Sequence, residues 1–191
     1  MPFEIARHAN KVAGKRAYPP GKVYGLLEPG PVVLVTTTRD GKPGVMPMSW
    51  LTMMEFEPPL VGCVMSNRNY SFDSLVASRA CGINVPGVEI AAKVVKCGNA
   101  SGRDVDKFAK FGLTPVAATR IDAPLVAECY ANLECRIADD GMVEKYGFFV
   151  LQVVAAWIDP TRKNPRQIHH RGHGVFAVDA PRLLKLASRA K

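Results

Sequence analysis

The sequence predicts a mainly β fold, an antiparallel barrel carrying a few short peripheral helices. Three observations lead there. Seven segments read as strands (31–38, 44–50, 60–65, 81–85, 128–137, 147–158 and 175–178), only three short stretches read as helices, and those helices interrupt the strands instead of alternating with them. A doubly wound parallel sheet needs a helix after nearly every strand, so the order favours an antiparallel barrel. The 191 residues suffice for one domain with its own core, and no repeat, low-complexity segment or linker divides them. We therefore read 1–191 as a single domain with a core at about 23–178 and basic extensions at both ends.

Taken in order, 31–38 is β-branched and continuous, and Asp40-Gly41 before 44–50 is the pair a tight hairpin favours, because glycine accepts a positive φ. The first two strands should thus be antiparallel neighbours. After 60–65, Ser71 stands as a capping residue ahead of the apolar pattern at 72–78; 89–95 is rich in alanine and valine; and 104–111 brings Val105, Phe108 and Phe111 onto one face. In 128–137, Cys129, Ala131, Leu133, Cys135 and Ile137 alternate with Tyr130, Asn132, Glu134 and Arg136, which sets one face on a core and the other towards solvent or a partner. The segment 147–158 is apolar on both faces and needs cover on both.

Composition excludes several classes. With 48% hydrophobic and 22% charged residues the chain is not of a disordered type, and no apolar run approaches the roughly 20 residues of a bilayer-spanning helix. The first thirteen residues hold no apolar stretch before a cleavage site, so a cytoplasmic location is expected. Five cysteines with no Cys-x-x-Cys spacing argue for reduced core thiols over disulfides or a zinc site. The net charge of +8 is terminal: residues 1–22 carry five Lys/Arg against one acid (+4), 160–191 eight against one (+7), and 23–159 twelve against fifteen (−3). Neither end interleaves aromatics with its basic residues as a stacking platform would, so nucleic acid is not the expected partner.

The most informative stretch runs from Met46 to Tyr70. Met48-Ser49-Trp50-Leu51-Thr52 ends a strand with small hydroxyls beside an aromatic, and Ser66-Asn67-Arg68-Asn69-Tyr70-Ser71 runs into a helix. A helix N-terminus offers unpaired N–H groups and partial positive charge; two hydroxyls, two amides and an arginine precede it here, so 66–71 reads as a phosphate site. The plainer alternative is that Ser71 only caps the helix while Arg68 is solvated. The run Met46, Met48, Met53, Met54 suits core filling or a dimer surface, with soft contacts to a ring as the alternative. His169, His170 and His173 lack the accompanying ligands a metal site needs, and adjacent histidines on an extended segment point in opposite directions. The Gly-x-Ser-x-Gly elbow, the phosphate loop and the Gly-x-Gly-x-x-Gly fingerprint are absent, which excludes only the Rossmann way of binding NAD(P)H.

These residues carry a resemblance. Ser49-Trp50-Leu51-Thr52, Glu57-Pro58-Pro59, the strand at 60–64, Ser66-x-Arg68-x-Tyr70-Ser71 and Ile83-Asn84-Val85-Pro86, in this order, resemble the flavin reductase-like family of FMN-binding split barrels, which includes flavoredoxins. Ser101-Gly102-Arg103-Asp104-x-Asp106-Lys107-Phe108, Leu125-Val126-Ala127-Glu128-Cys129 and the His-Gly-rich segment 169–174 extend the likeness over about 30–178. The resemblance implies a Greek-key split β-barrel, a homodimer, and FMN (or FAD) near the dimer interface. It implies that Met48, Ser49, Trp50, Leu51 and Thr52 line the flavin ring, that Ser66, Asn67, Arg68 and Ser71 surround the phosphate, and that Asn84 faces the ribityl chain or ring. Arg103 and Lys107 would approach the flavin or the donor's phosphates, with an exposed, self-capped helix as the alternative, and His169 and His170 would face the flavin or donor. The implied activity passes electrons from NAD(P)H through flavin to a flavin, a redox protein or a small acceptor; the alternative is a non-catalytic flavin-binding electron carrier. Flavin as a fixed group and flavin as an exchangeable substrate both stay open.

Overall fold

The apolar run after Pro31 forms the first long strand, β1 (Val33–Arg39), in a computed structural model that describes residues 30–179 and the backbone of a short antiparallel ladder, Lys11–Val12 with Lys15–Arg16. The remainder of the basic N-terminal extension, and 180–191 of the C-terminal one, lie outside the described residues. Six further strands complete one sheet: β2 (Lys42–Met48), β3 (Leu51–Phe56), β4 (Pro59–Val64), β5 (Ala80–Val85), β6 (Ala131–Met142) and β7 (Phe148–Ile158). Its order is β2-β1-β5-β6-β7-β4-β3, with every neighbouring pair antiparallel. The expected hairpin joins β1 to β2, with Asp40 and Gly41 at φ of 50° and 71°.

The edge strands β2 and β3 are consecutive in the chain and joined only by Ser49 and Trp50. The sheet therefore curls until its edges converge at that link, giving the split barrel. Alternation along β1 explains its unbroken apolar character. Val33 and Val35 enter the barrel interior with Met48, Cys63, Met65, Leu75, Cys81, Ile83, Cys135, Phe149 and Leu151, while Val32 and Leu34 face an outer core with Val94, Cys97, Phe108, Val126 and Ile168. Helix α1 (Tyr70–Ser78) turns Phe72 and Leu75 to the inner core, α2 (Ala91–Gly98) and α3 (Lys107–Phe111) supply the outer cover, and α4 (Val143–Tyr146) is a single turn between β6 and β7. The five cysteines are free and buried; burial, with smaller electrostatic contributions from neighbours, pushes the thiols of Cys63 and Cys129 up to about 12.

Four expectations need correction. β3 was not expected, because Leu-Thr-Met-Met-Glu-Phe has no clean alternation; all its residues but Leu51 are exposed, and among the described residues it pairs only with β4. The helix cap is Asn69, not Ser71, which sits buried in the first turn at 4% exposure. The polar face of β6 is not solvated at Glu134, which is 0% exposed beneath the loop carrying Thr119 and Arg120. β7 is covered at Phe149, Val150 and Leu151 but exposed at Ala156, Trp157 and Ile158.

Candidate functional site

Three clefts meet around the end of β2, and Pro47 lines all of them. The first, of about 500 Å³, lies between the start of α1 (Arg68, Asn69, Tyr70, Ser71) and the segment from the end of α2 to Gly102, with Lys107 beside it. The N–H groups of Tyr70 and Ser71 open a nine-residue helix and have no acceptor within it, whereas Phe72 N–H is tied to the Asn69 carbonyl at 3.0 Å. Arg68 is exposed on the turn and Lys107 is only 7% exposed, its Nζ donating to the Cys97 carbonyl at 2.7 Å. Burial lowers the Lys107 pKa, an effect the neighbouring Cys97 opposes. Among the described residues two cations and no carboxylate line this cleft, a donor set suited to a phosphate monoester.

The second cleft, of about 690 Å³, shares Met46, Pro47 and Asn69 with the first. Met46, Met48, Trp50, Met65 and Phe72 give it apolar walls, Ser49, Ser66 and Asn67 give it polar groups, and α4 with Gly147 forms a rim. A cationic cleft opening into a larger apolar one fits a phosphate ester that carries a planar ring, the shape and charge of FMN. The third, of about 330 Å³, has Val32, Met48, Val94 and Phe176 in its walls, with the His170 ring 5.2 Å from that of Phe176.

The residues expected at the site divide accordingly. Arg68, Ser71 and Lys107 border the first cleft; Met48, Ser49, Trp50, Ser66 and Asn67 the second; Met48, Ser49 and His170 the third. Ser66 is therefore not beside Arg68's cleft, and its hydroxyl accepts the Arg68 N–H at 3.3 Å instead. Leu51 and Thr52 line none of the three: Leu51 packs against the inner core, and the exposed Thr52 hydroxyl donates to the Met53 carbonyl at 3.2 Å. Asn84 is also placed elsewhere. It is 0% exposed, its amide donates to the Leu34 carbonyl and the Thr36 hydroxyl, and its carbonyl accepts from Val126 N–H and the Asn132 amide. With both ends engaged, Asn84 locks β1 to β5 and cannot face a ligand. His169 bonds Asp179 through Nε2 at 2.8 Å, and its buried Nδ1 has no partner among the described residues. Arg103 lies past Tyr70 in an adjoining cleft, its guanidinium 5.8 Å from the Tyr70 ring centroid.

Sequence reasoning did not single out Tyr70, Gly102 or α4 as parts of the site. Gly102 had a readable signal in the Ser-Gly-Arg loop: a Cβ there would lie 2.8 Å from Tyr70 Cδ1, so only glycine lets the loop close against that ring. The single turn of α4 carries no capping or periodic signal. Among the described residues no three His, Cys, Asp or Glu side chains group to hold a metal ion, and no helix is long and apolar enough to cross a membrane.

Comparison with known proteins places this geometry. The flavin reductase-like domain family matches residues 26–176. An uncharacterised Escherichia coli K12 protein, YddH, is 31% identical over 174 residues, 83% of this chain and 91% of its own. Among solved structures, the FMN-binding domain of a flavin reductases-like enzyme from Shewanella baltica OS155 aligns with a TM-score of 0.77 at 26% identity, covering 88% of this chain and 95% of that one. The flavoredoxin of Desulfovibrio vulgaris (Miyazaki F) shares the fold, with a TM-score of 0.76 at 24% identity over 96% of this chain and 100% of its own.

Proposed function

The chain belongs to the flavin reductase-like domain family, and from that premise we propose that it binds FMN and acts as an oxidoreductase, moving electrons from NAD(P)H to a free flavin, another protein or a small acceptor. The observation that carries this reading is the continuity of the acid-free cationic cleft with the larger apolar one. Bound FMN would supply the redox chemistry. The chain's own task is to bind and orient. Arg68, Lys107 and the Tyr70 and Ser71 N–H groups hold the phosphate; Met46, Met48, Trp50 and Phe72 flank the ring; Ser49 and Asn67 offer hydrogen bonds to its polar edge. His170 and Phe176 border the neighbouring cleft across Pro47–Ser49, where a nicotinamide has room to approach. The homodimer belongs to the same reading: Trp50 lines the ring cleft yet is 54% exposed, beside an edge strand that exposes Met53, Met54 and Phe56.

The test is the visible spectrum of the purified protein, followed by anaerobic mixing with NADH or NADPH. A flavin spectrum, or uptake of added FMN, with bleaching at a turnover-competent rate is the expected result. Bleaching with neither donor would reassign the chain as a carrier reduced by a partner. A colourless protein that takes up no FMN would overturn the proposal.

A further inference from the structure

The phosphate cleft has two kinds of neighbour. It joins the ring cleft at Met46, Pro47 and Asn69, and it meets a separate cleft of about 320 Å³ with which it shares Tyr70 and Gly102. Tyr70 opens α1, so the helix fixes its backbone, and the 101–106 loop grips its side chain. Gly102 packs so closely that a Cβ there would lie 2.8 Å from Tyr70 Cδ1 and 3.3 Å from Cε1, and the Arg103 guanidinium stands 5.8 Å from the ring centroid. The loop holds this position by its own bonds: Arg103 N–H donates to the Ser101 hydroxyl at 3.1 Å and Asp104 N–H to the Ser101 carbonyl at 3.2 Å. The Tyr70–Gly102 contact is thus a wall between the two clefts.

Charge changes across that wall. Among the described residues, Arg68 and Lys107 line the phosphate cleft without a carboxylate, whereas beyond Tyr70 the cations Lys42 and Arg103 are offset by Asp104 and Asp106. FMN ends in a dianionic phosphate monoester, which a closed cationic cleft satisfies. In FAD the same phosphorus is a monoanionic diester that continues through a second phosphate to adenosine, so it needs an exit. We propose that Tyr70, seated against Gly102, is a specificity-determining residue that closes the phosphate cleft behind a terminal phosphate, so that the chain takes FMN and rejects FAD. The proposal rests on the flavin reading above. Rejection has two sources: the adenylate must displace Tyr70 to pass, and its phosphate then meets carboxylates in place of a cationic excess.

The experiment titrates FMN and FAD into flavin-free wild type, Tyr70→Phe, Tyr70→Ala and Asp104→Lys. It reads the ratio of the two dissociation constants, in which damage common to both flavins cancels. Wild type and Tyr70→Phe should bind FMN about tenfold or more tighter than FAD, and Tyr70→Ala, which opens the wall, should bring the two within about threefold. Asp104→Lys, an exposed substitution, makes the far cleft cationic but leaves the wall, so its ratio should match wild type. That variant decides the matter where Tyr70→Ala does not fold. Equal affinity of wild type for FMN and FAD would overturn the selection while leaving the flavin reading in place. Undiminished preference for FMN in a folded Tyr70→Ala would also overturn it, as would tighter FAD binding in Asp104→Lys. Uptake of neither flavin by wild type overturns the flavin reading, and this selection with it.

Discussion

The Nζ of Lys107 donates to the Cys97 carbonyl oxygen at 2.7 Å, which fixes an ammonium at 7% exposure between α3 and the end of α2. That contact uses one of three N–H bonds and leaves the others for an anion in the cleft. Burial disfavours the charged form, so this amine gives up its proton below the ordinary lysine value of 10.5. In the folded protein the burial cost is present below that lowered pKa and relieved as pH rises through it towards 10.5. Phosphate binding has the opposite sign, because it favours the ammonium.

FMN affinity should accordingly be full at neutral pH and fall in alkali earlier than an exposed lysine would dictate. Lys107→Met should weaken FMN by about 1.5–3 kcal/mol and remove that alkaline fall. Titration of FMN across pH 7–10.5, with Tyr70→Phe as control for the neighbouring phenol, checks it. An unchanged alkaline limb in Lys107→Met would assign the titration to another group.

Arg68 and Ser71 should differ in the same assay. Arg68→Ala removes a charge-assisted contact and should cost about 1.5–3 kcal/mol of FMN binding, falling with added salt, whereas Ser71→Ala removes a neutral one and should cost about 0.5–1.5. Arg68→Ala should keep the wild-type unfolding midpoint within the small margin expected of an exposed residue. FMN affinity that stays the same in Arg68→Ala at low and moderate salt removes this cleft from the proposal.

Much of this arrangement is legible in the sequence where a local rule decides it. Asp40-Gly41 dictates a hairpin because only a positive φ closes it, and the run 32–35 dictates cover on both sheet faces. The helix start beside Arg68 is legible to within two residues from the apolar pattern at 72–78, although its cap is Asn69 and not Ser71. What stays hidden depends on tertiary cover. Asn84 looks like a polar group awaiting a ligand until β1 and the 124–126 segment surround it, and Glu134 reads as solvated because the loop that buries it is fifteen residues distant in the chain. Edge strand β3 lacks a sequence signal for the same reason: its pattern is set by what covers it, not by its own period.

Glu134 supplies a stability test. Its carboxylate accepts from Thr119 N–H and hydroxyl, Arg120 N–H and the Trp157 indole at 2.8 Å, with no cation paired to it among the described residues. Burial pushes its pKa up, but these donors outweigh burial and hold it below 4.5. The carboxylate therefore stabilises the fold above the ordinary glutamate range, and that contribution is lost as pH falls through the lowered pKa. Glu134→Gln turns one acceptor into a donor facing donors and should cost about 2–3 kcal/mol at pH 7, with a shallower loss of stability below pH 4.5 than wild type. Urea unfolding at pH 7 and pH 3.5 measures both, and equal acid sensitivity in the two proteins would show that other carboxylates govern acid unfolding.

Assembly is the last test. β3 is an edge strand with one neighbour, β4, among the described residues, and it exposes Met53 at 57%, Met54 at 47% and Phe56 at 84%, with Trp50 next to it at the ring cleft. A long apolar edge is a hazard for a lone protomer, which natural sheets blunt with charge, proline or a partner. The only charge within β3 is Glu55, so a second copy is the expected cover, with an interface on the order of 2,000 Å² or more. Because Trp50 belongs to both the edge region and the cleft, flavin affinity should depend on protomer concentration through mass action. Sedimentation at micromolar concentration should give twice the chain mass for wild type. Met53→Asp/Phe56→Asp should give a folded monomer with weakened FMN binding, although neither residue lines the ring cleft. A wild-type protein that is monodisperse as a monomer and still retains FMN would sink both the dimer and the shared cleft.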